Sequence, residues 1–243
     1  MPEQKVFTPS DEAKGSAKQL RLFAFLLWLV AIAGEIFAIL KLLHNEKLTW
    51  LIVAIIVILI LSVAGSLLWK KANRLDPASE KNSTKFFIQN QLGAIMAVLA
   101  FLPLVIFIFT NKNLDGKTKG IAGAVAVIAL LIAGITGVDF NPPSVEKYSA
   151  QLNAQDSTLR QITGKENNIV YWAPNSEKYH LYQDCQYIRG HAGVSQGTLE
   201  DAFKARKIGD NELCSACEKR AMKEHDASLI ASPAPAATAD SVH

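Results

Sequence analysis

Four apolar segments dominate the first part of the chain, and short polar stretches separate them. The segments cover residues 20–43, 48–69, 86–110 and 120–138. A helix needs about 20 apolar residues to cross the roughly 30 Å hydrocarbon core of a bilayer, and each segment has close to that length or more. The pattern therefore predicts four transmembrane helices, and the short connections between them predict an antiparallel, all-α four-helix bundle.

The residues that flank these segments indicate how the chain crosses the membrane. Trp50 and Trp69 bracket the second segment, as aromatic residues do at membrane interfaces. Nine Lys and Arg residues lie in or beside the N-terminal segment and the loop between the second and third spans, against five for the other two loops. Because positively charged loops stay in the cytoplasm, we expect a multi-pass protein of the inner or cell membrane with both termini cytoplasmic. Residues 1–19 would then form a cytoplasmic N-terminal segment.

Two features inside the predicted spans indicate roles beyond membrane anchoring: an acidic residue and a set of small residues. Glu35 is an acidic residue within the first apolar segment. Such a carboxyl either belongs to an ion or proton pathway or is hydrogen-bonded to polar residues such as those at positions 89–91. Small residues at helical spacing in the fourth segment allow close helix packing, within one chain or in a homo-oligomer; they are Ala122, Ala126, Ala129, Ala133 and Gly137.

The chain becomes polar at Asp139, and residues 139–243 contain every cysteine. Two prolines, Pro142 and Pro143, end the last span. We expect residues 139–166 to form a stalk or linker with a helix from Val145 to about Ile162. Residues 167–226 are predicted to form a compact domain, and the Ala-, Ser- and Pro-rich residues 227–243 a disordered tail.

Local signals within residues 167–226 predict a small α+β domain. Residues 168–172 and 178–182 are rich in β-forming residues and predict a hairpin that delivers His180. Thr198 and Asp201 resemble a capping box, which predicts a helix from Leu199 to about Arg206. A further helix is expected at the C-x2-C turn and over residues 218–223. The expected core consists of Val170, Tyr171, Tyr179, Ile188, Leu199, Phe203, Ile208 and Leu213.

One histidine and the three cysteines of this domain have the spacing of a metal site. Four residues separate His180 from Cys185, and two separate Cys214 from Cys217. Tetrahedral Zn²⁺ takes four such nitrogen and sulfur ligands, and four protein ligands leave no open position, which is typical of structural zinc. We therefore predict Zn²⁺ bound by these four side chains. His191 could compete with His180 as a ligand, and a C-x2-C redox pair is the alternative to metal binding.

The sequence around these ligands resembles a recurring bacterial zinc module. It is similar to the metal-binding domain of the Ada DNA-repair protein, in the variant in which a histidine replaces one cysteine. The similarity rests on residues 169–172, 178–180, 185, 198–202 and 214–217, under a quarter of the chain. The resemblance implies zinc binding. Methyl transfer, the reaction of the Ada protein itself, is not expected, because one ligand here is His180 and the domain is not strongly basic.

These patterns predict a membrane protein whose cytosolic structural-zinc module binds an unidentified protein or nucleic acid. The sequence contains no P-loop, G-x-S-x-G or H-E-x-x-H motif, so we do not expect an enzyme. The net charge of +3 is too small to argue for nucleic acid. Two alternatives remain at this point. One is a membrane-tethered redox or metal sensor whose thiolates release zinc on oxidation, and the other is a small channel or transporter that uses Glu35.

Overall fold

The computed structural model describes residues 4–174, 176, 178–205 and 212–231. The chain divides into two compact units. One unit comprises Pro9–Lys147, and the other combines Met1–Thr8 with Tyr148–His243. The first residues of the chain therefore belong to the same unit as its C-terminal part.

Four long helices form the first unit, and a single 3-10 turn at Asn45–Lys47 precedes the second of them. The four predicted helices are present, and each is long and apolar enough to cross a membrane. Every helix extends beyond its apolar segment by a few polar residues at one end or both. The helices are α1 Asp11–Lys41, α2 Leu48–Leu75, α3 Ser83–Thr110 and α4 Gly116–Gly137.

Polar side chains cap the N-termini of three of these helices. The Ser10 hydroxyl accepts a hydrogen bond from the N–H of Ala13, and the Asn82 amide oxygen accepts one from Lys85. The Asp115 carboxylate accepts the N–H of Thr118 at 2.6 Å, which lowers the pKa of Asp115. These bonds satisfy backbone donors that the first helical turn leaves free, and so they fix where α1, α3 and α4 begin.

Small residues bring the helix backbones of this unit together. All five small residues predicted to pack on α4 are buried, and the alanines among them belong to a core shared by the four helices. At Gly137 the backbone of α4 meets that of α3. A Cβ atom on Gly137 would lie 2.5 Å from the carbonyl carbon of Gly93 and from the nitrogen of Ala94. Position 137 therefore has no room for a side chain and requires glycine.

Glu35 of α1 is buried, and its side chain accepts a hydrogen bond from a backbone N–H of α3. One carboxylate oxygen accepts the N–H of Leu104 at 3.0 Å, one residue beyond Pro103. A proline inside a helix disturbs the hydrogen bonds of its own turn, and in a membrane helix neighbouring side chains take over such groups. The partner of Glu35 is thus this backbone N–H rather than the polar side chains at 89–91 suggested from sequence. The contact favours a structural role over an ion pathway.

Short strands and helices make up the second unit. The strands form two two-stranded sheets: β1 pairs antiparallel with β3, with Ile169 opposite Thr198, and β2 pairs parallel with β4. The elements are α5 Val145–Thr163, β1 Ile169–Trp172, β2 Lys178–Tyr179, β3 Ser195–Thr198, α6 Leu199–Ala205, β4 Glu212–Leu213 and α7 Ser215–Ala231. The predicted α5 is present over nearly its expected length.

The core of this unit includes residues from outside 167–226. Leu152 and Leu159 of α5 are buried together with Val170, Tyr179, Leu199 and Phe203. Phe7, from the start of the chain, lies in the same cluster, and its ring meets Tyr148 edge-on at 5.1 Å between centroids. The helix that the sequence placed in a linker thus forms one wall of the core.

Residues 5–7 are attached to α5 by polar contacts as well. The backbone of Lys5 exchanges two hydrogen bonds with the side-chain amide of Asn153, each 2.9 Å long. The N–H of Phe7 donates to the Ser149 hydroxyl at 2.9 Å, and the Lys5 ammonium lies 2.8 Å from the Asp156 carboxylate. The predicted cytoplasmic N-terminal segment is therefore partly a structural element of the C-terminal unit.

The capping box that the sequence predicted before α6 is present. The hydroxyl of Thr198 accepts the N–H of Asp201 at 3.1 Å, and the Asp201 carboxylate accepts the N–H of Thr198 at 3.0 Å. The Thr198 hydroxyl also donates to the Asp201 carboxylate at 2.7 Å, and this bond, with the bond from the Thr198 N–H, lowers the pKa of Asp201. Arg206 and Ile208, the predicted helix end and one predicted core residue, lie outside the described residues. Helix α7 continues to Ala231, past the predicted start of the tail at Ala227.

Candidate metal centre

His180 is positioned by strand pairing, although not by the hairpin predicted from sequence. Tyr171 and His180 form an isolated antiparallel bridge, with N–H to C=O distances of 2.7 Å in both directions. β1 pairs with β3 along its whole length, including Tyr171 opposite Gln196, and β2 pairs with β4. Runs of β-forming residues predict strands but do not identify the partner strand, so the hairpin was wrong except at this one pair.

The three cysteines come from a turn, a strand end and a helix start. Cys185 lies in a turn in which its N–H donates to the carbonyl of Tyr182. Cys214 directly follows β4 and donates its N–H to the Tyr179 carbonyl at 2.9 Å. Helix α7 begins at Ser215, so Cys217 lies in its first turn, as the C-x2-C spacing predicted. Three separate elements therefore converge on one point.

The structure brings all four predicted ligands together. Their ligand atoms lie within 4.8 Å of one another, and all four residues are buried. The Sγ atoms of Cys185 and Cys214 are 4.0 Å apart, and Cys217 Sγ is 3.7 Å from His180 Nδ1. Tetrahedral zinc with bonds of about 2.3 Å to sulfur and about 2.0–2.1 Å to nitrogen requires separations of about 3.8 and 3.6 Å, respectively. The cluster can therefore hold a metal ion.

The alternative ligand weighed from sequence is not part of this cluster. His191 lies in an exposed loop and does not belong to the group of residues whose ligand atoms converge. His180, in contrast, is only 2% exposed. The structure thus favours His180 over its competitor, and within the described residues the cluster has one nitrogen and three sulfur ligands.

Burial governs the electrostatics of the Cys217 thiol. Removal from water raises the pKa of Cys217 to about 12, opposed in part by the backbone N–H groups of Leu181 and Tyr182. A redox-active C-x2-C pair needs an accessible cysteine with a lowered pKa, whereas Cys217 is 1% exposed. Buried thiolates become stable when a cation compensates their charge, and a bound metal ion would supply that charge here.

Sequence reasoning missed a network of largely exposed side chains on the two segments that carry Cys185 and Cys217. Arg220 of α7 donates to both carboxylate oxygens of Asp184 at 3.0 Å and to Glu224 at 2.9 Å. Its guanidinium carbon lies 3.9 Å from the ring centroid of Tyr182, whose hydroxyl donates to Glu224 at 2.6 Å. Burial and the bond to Glu224 raise the pKa of Tyr182 to about 12. The network ties the turn that carries Cys185 to the helix that carries Cys217.

The hydrogen bonds of this network reach no candidate ligand atom directly; they join Asp184, beside Cys185, to Arg220 and Glu224 of α7. The sequence signal for Arg220 is its position three residues after Cys217, one helical turn along α7. This signal is weak, because charged residues at that spacing are common on exposed helix faces. Asp184 offers none beyond its adjacency to Cys185.

Comparisons of the chain with protein-family models, with curated proteins and with solved structures find no significant match. What the centre does must therefore follow from its own ligand atoms, their burial and the elements that carry them. Those features describe a closed set of four soft or borderline ligands in a small domain.

Proposed function

We propose that this protein is an integral membrane protein in which a four-helix bundle carries a structural-zinc module, and that the module binds a partner protein. The observation that carries the proposal is the convergence of His180, Cys185, Cys214 and Cys217 in one buried cluster. Three thiolates and one imidazole form a ligand set that suits Zn²⁺. The module is expected to resemble the Ada-like metal-binding domain, in the form that has one histidine and three cysteine ligands.

A structural role follows from the number of ligands and from the size of the domain. Four protein ligands complete a tetrahedral shell, so a zinc ion held here would have no position left for a substrate. Zinc would contribute its binding energy to folding, with apparent values of roughly 10–16 kcal/mol in small zinc domains. No enzymatic activity is proposed for this site.

The two parts of the C-terminal unit support a common location for both chain ends. Met1–Thr8 and Tyr148–His243 belong to one compact unit, and four potential spans lie between them. An even number of crossings returns the chain to the side on which it began. The distribution of Lys and Arg favours the cytoplasm for that side. A reducing compartment keeps cysteines as thiols, which favours zinc over disulfides.

Charge favours a protein over a nucleic acid as the partner. Residues 167–226 contain eight Lys and Arg against nine Asp and Glu, a formal net charge of −1. Nucleic-acid-binding domains need a basic surface to neutralise phosphates. The sensor alternative requires thiols that an oxidant can reach, and the burial of all three cysteines disfavours it.

Metal analysis and chelation of the full chain test the proposal. The protein, purified in detergent under reducing conditions, is expected to contain one zinc per chain. Chelation is expected to increase hydrogen–deuterium exchange across β1, β3 and α6 but not within α1–α4, as measured by mass spectrometry. Equal protection of these elements in the metal-free, fully reduced protein would contradict a structural role for zinc.

A further inference from the structure

An open groove lies at one end of the membrane unit, where α2 ends and α3 begins. Its volume is about 570 Å³. Arg21 of α1 and Trp69 of α2 form one side, and the first turns of α3 form the other. The groove lies at the end of the unit that carries the larger share of Lys and Arg residues.

The lining of the groove changes from basic to apolar along the axis of α3. Thr84 and Lys85 line its mouth, and Ile88 and Leu92 continue the same helix face. At 1.5 Å per residue, Leu92 lies about 10 Å further into the span than Lys85. Ile88 is exposed although it is a large apolar residue. The groove therefore presents a cationic, hydrogen-bonding entrance followed by Ile88 and Leu92, with the polar Gln89 between them in sequence.

Arg21 is held in place at the mouth of this groove. Its guanidinium donates to the carboxylate and to the backbone carbonyl of Asp76, both at 2.8 Å, and lies 5.8 Å from the Trp69 ring centroid. Its Nε atom is buried and has no hydrogen-bond partner. Asp76 offsets part of the charge of Arg21, so Lys85 contributes most of the net positive charge. Among the described residues that line the groove, none is acidic.

We propose that this groove binds an anionic phospholipid of the surrounding bilayer. The phosphate lies between Arg21 and Lys85, and the upper part of an acyl chain runs along Ile88 and Leu92. A lipid has the same order of groups along the membrane normal as the groove: a charged head group, then an apolar chain. Basic residues beside a span attract anionic lipids, and Trp69 has the amphipathic ring that prefers this depth. The site is separate from the metal centre and does not depend on its function.

Direct binding measurements on the full chain test this site. The protein in a neutral detergent is titrated calorimetrically with dihexanoyl phosphatidylglycerol, with dihexanoyl phosphatidylcholine and with glycerol phosphate. The key variant is Lys85→Glu in the first turn of α3, and the matched control is Lys81→Glu, which lies in the loop before α3 and outside the groove. A carboxylate in the first turn of a helix is favourable, so Lys85→Glu is expected to keep the fold. Helix content by circular dichroism checks this point.

Tighter binding of phosphatidylglycerol than of phosphatidylcholine, weakened roughly tenfold or more by Lys85→Glu and little changed by Lys81→Glu, supports the site. Equal binding of the two lipids would overturn it. An equal loss in both variants would also overturn it, because the attraction would then come from the whole basic surface. Glycerol phosphate that binds as tightly as the lipid would identify a soluble phosphate ester as the ligand and reject the lipid.

Discussion

The membrane helices and the C-terminal unit are held together in different ways. In the first unit glycine and alanine let backbones touch, as at Gly93 and Gly137. In the second, a small apolar core is supplemented by the His/Cys cluster and by Phe7 from the other end of the chain. The solvents explain the difference. Within a bilayer there is no hydrophobic driving force between helices, so close van der Waals packing joins them. In water the hydrophobic effect stabilises a core, but a small domain buries too little apolar surface to be stable by this effect alone.

The largest expected effect comes from removing one candidate metal ligand. His180→Ala should strongly weaken zinc binding and destabilise the C-terminal unit, because only three thiolates remain to hold a metal whose binding energy contributes to folding. His191→Ala, a histidine outside the cluster, should change neither. Zinc content and hydrogen exchange of β1 and α6 measure both effects. An unchanged zinc affinity together with unchanged exchange in the His180→Ala protein would contradict a ligand role for His180.

A smaller effect is expected from the residue that the start of the chain supplies. Phe7→Ala should lower the free energy of unfolding of the C-terminal unit by about 3 kcal/mol, because the side chain is 7% exposed and packs in the core. Val6→Ala is the control, since Val6 is 64% exposed. Exchange protection of α5 reports the difference. Equal behaviour of the two variants would mean that residues 5–7 do not belong to this unit in solution.

The smallest effect tests the backbone contact within the membrane unit. Gly137→Ala should destabilise the packing of α3 on α4 by about 2 kcal/mol, because the added Cβ would lie 2.5 Å from backbone atoms. Gly134→Ala, one turn earlier, meets nothing within 4 Å and should be neutral. Thermal unfolding in detergent, followed by helix circular dichroism, measures both, and zinc content should not change. Similar melting of the two variants would show that α3 and α4 do not depend on this contact.

Features that depend on nearby residues could be predicted from the sequence. Apolar length predicted the four spans, small residues at helical spacing predicted the buried face of α4, and the C-x2-C spacing predicted the start of α7. The capping pair Thr198 and Asp201 likewise lies three residues apart. In each case the residues that cause the feature are close enough along the chain to be recognised as one pattern.

Features that depend on distant partners could not be predicted in this way. Strand β3 has the polar, largely exposed sequence Ser-Gln-Gly-Thr and lacks the alternation that identifies strands. The partner of Glu35 is the backbone N–H of Leu104, beside Pro103, and no pattern of side chains along the sequence predicts a bond to a backbone group. Residues 5–7 contain one aromatic residue in a polar stretch, and their role depends on a helix more than 130 residues further along the chain.

Because Phe7 packs in the C-terminal core, this core can be completed only late in the synthesis of the protein. Residues 5–7 are translated before α1, and they find their binding site only after α5 has been made, when all four predicted spans have already been translated. Until then, Lys5 and Phe7 lack the partners on α5 that they have in the folded chain. Completion of the C-terminal unit is thus coupled to completion of the membrane part. A chain in which one span fails to insert would leave the two halves of this core on opposite sides of the bilayer.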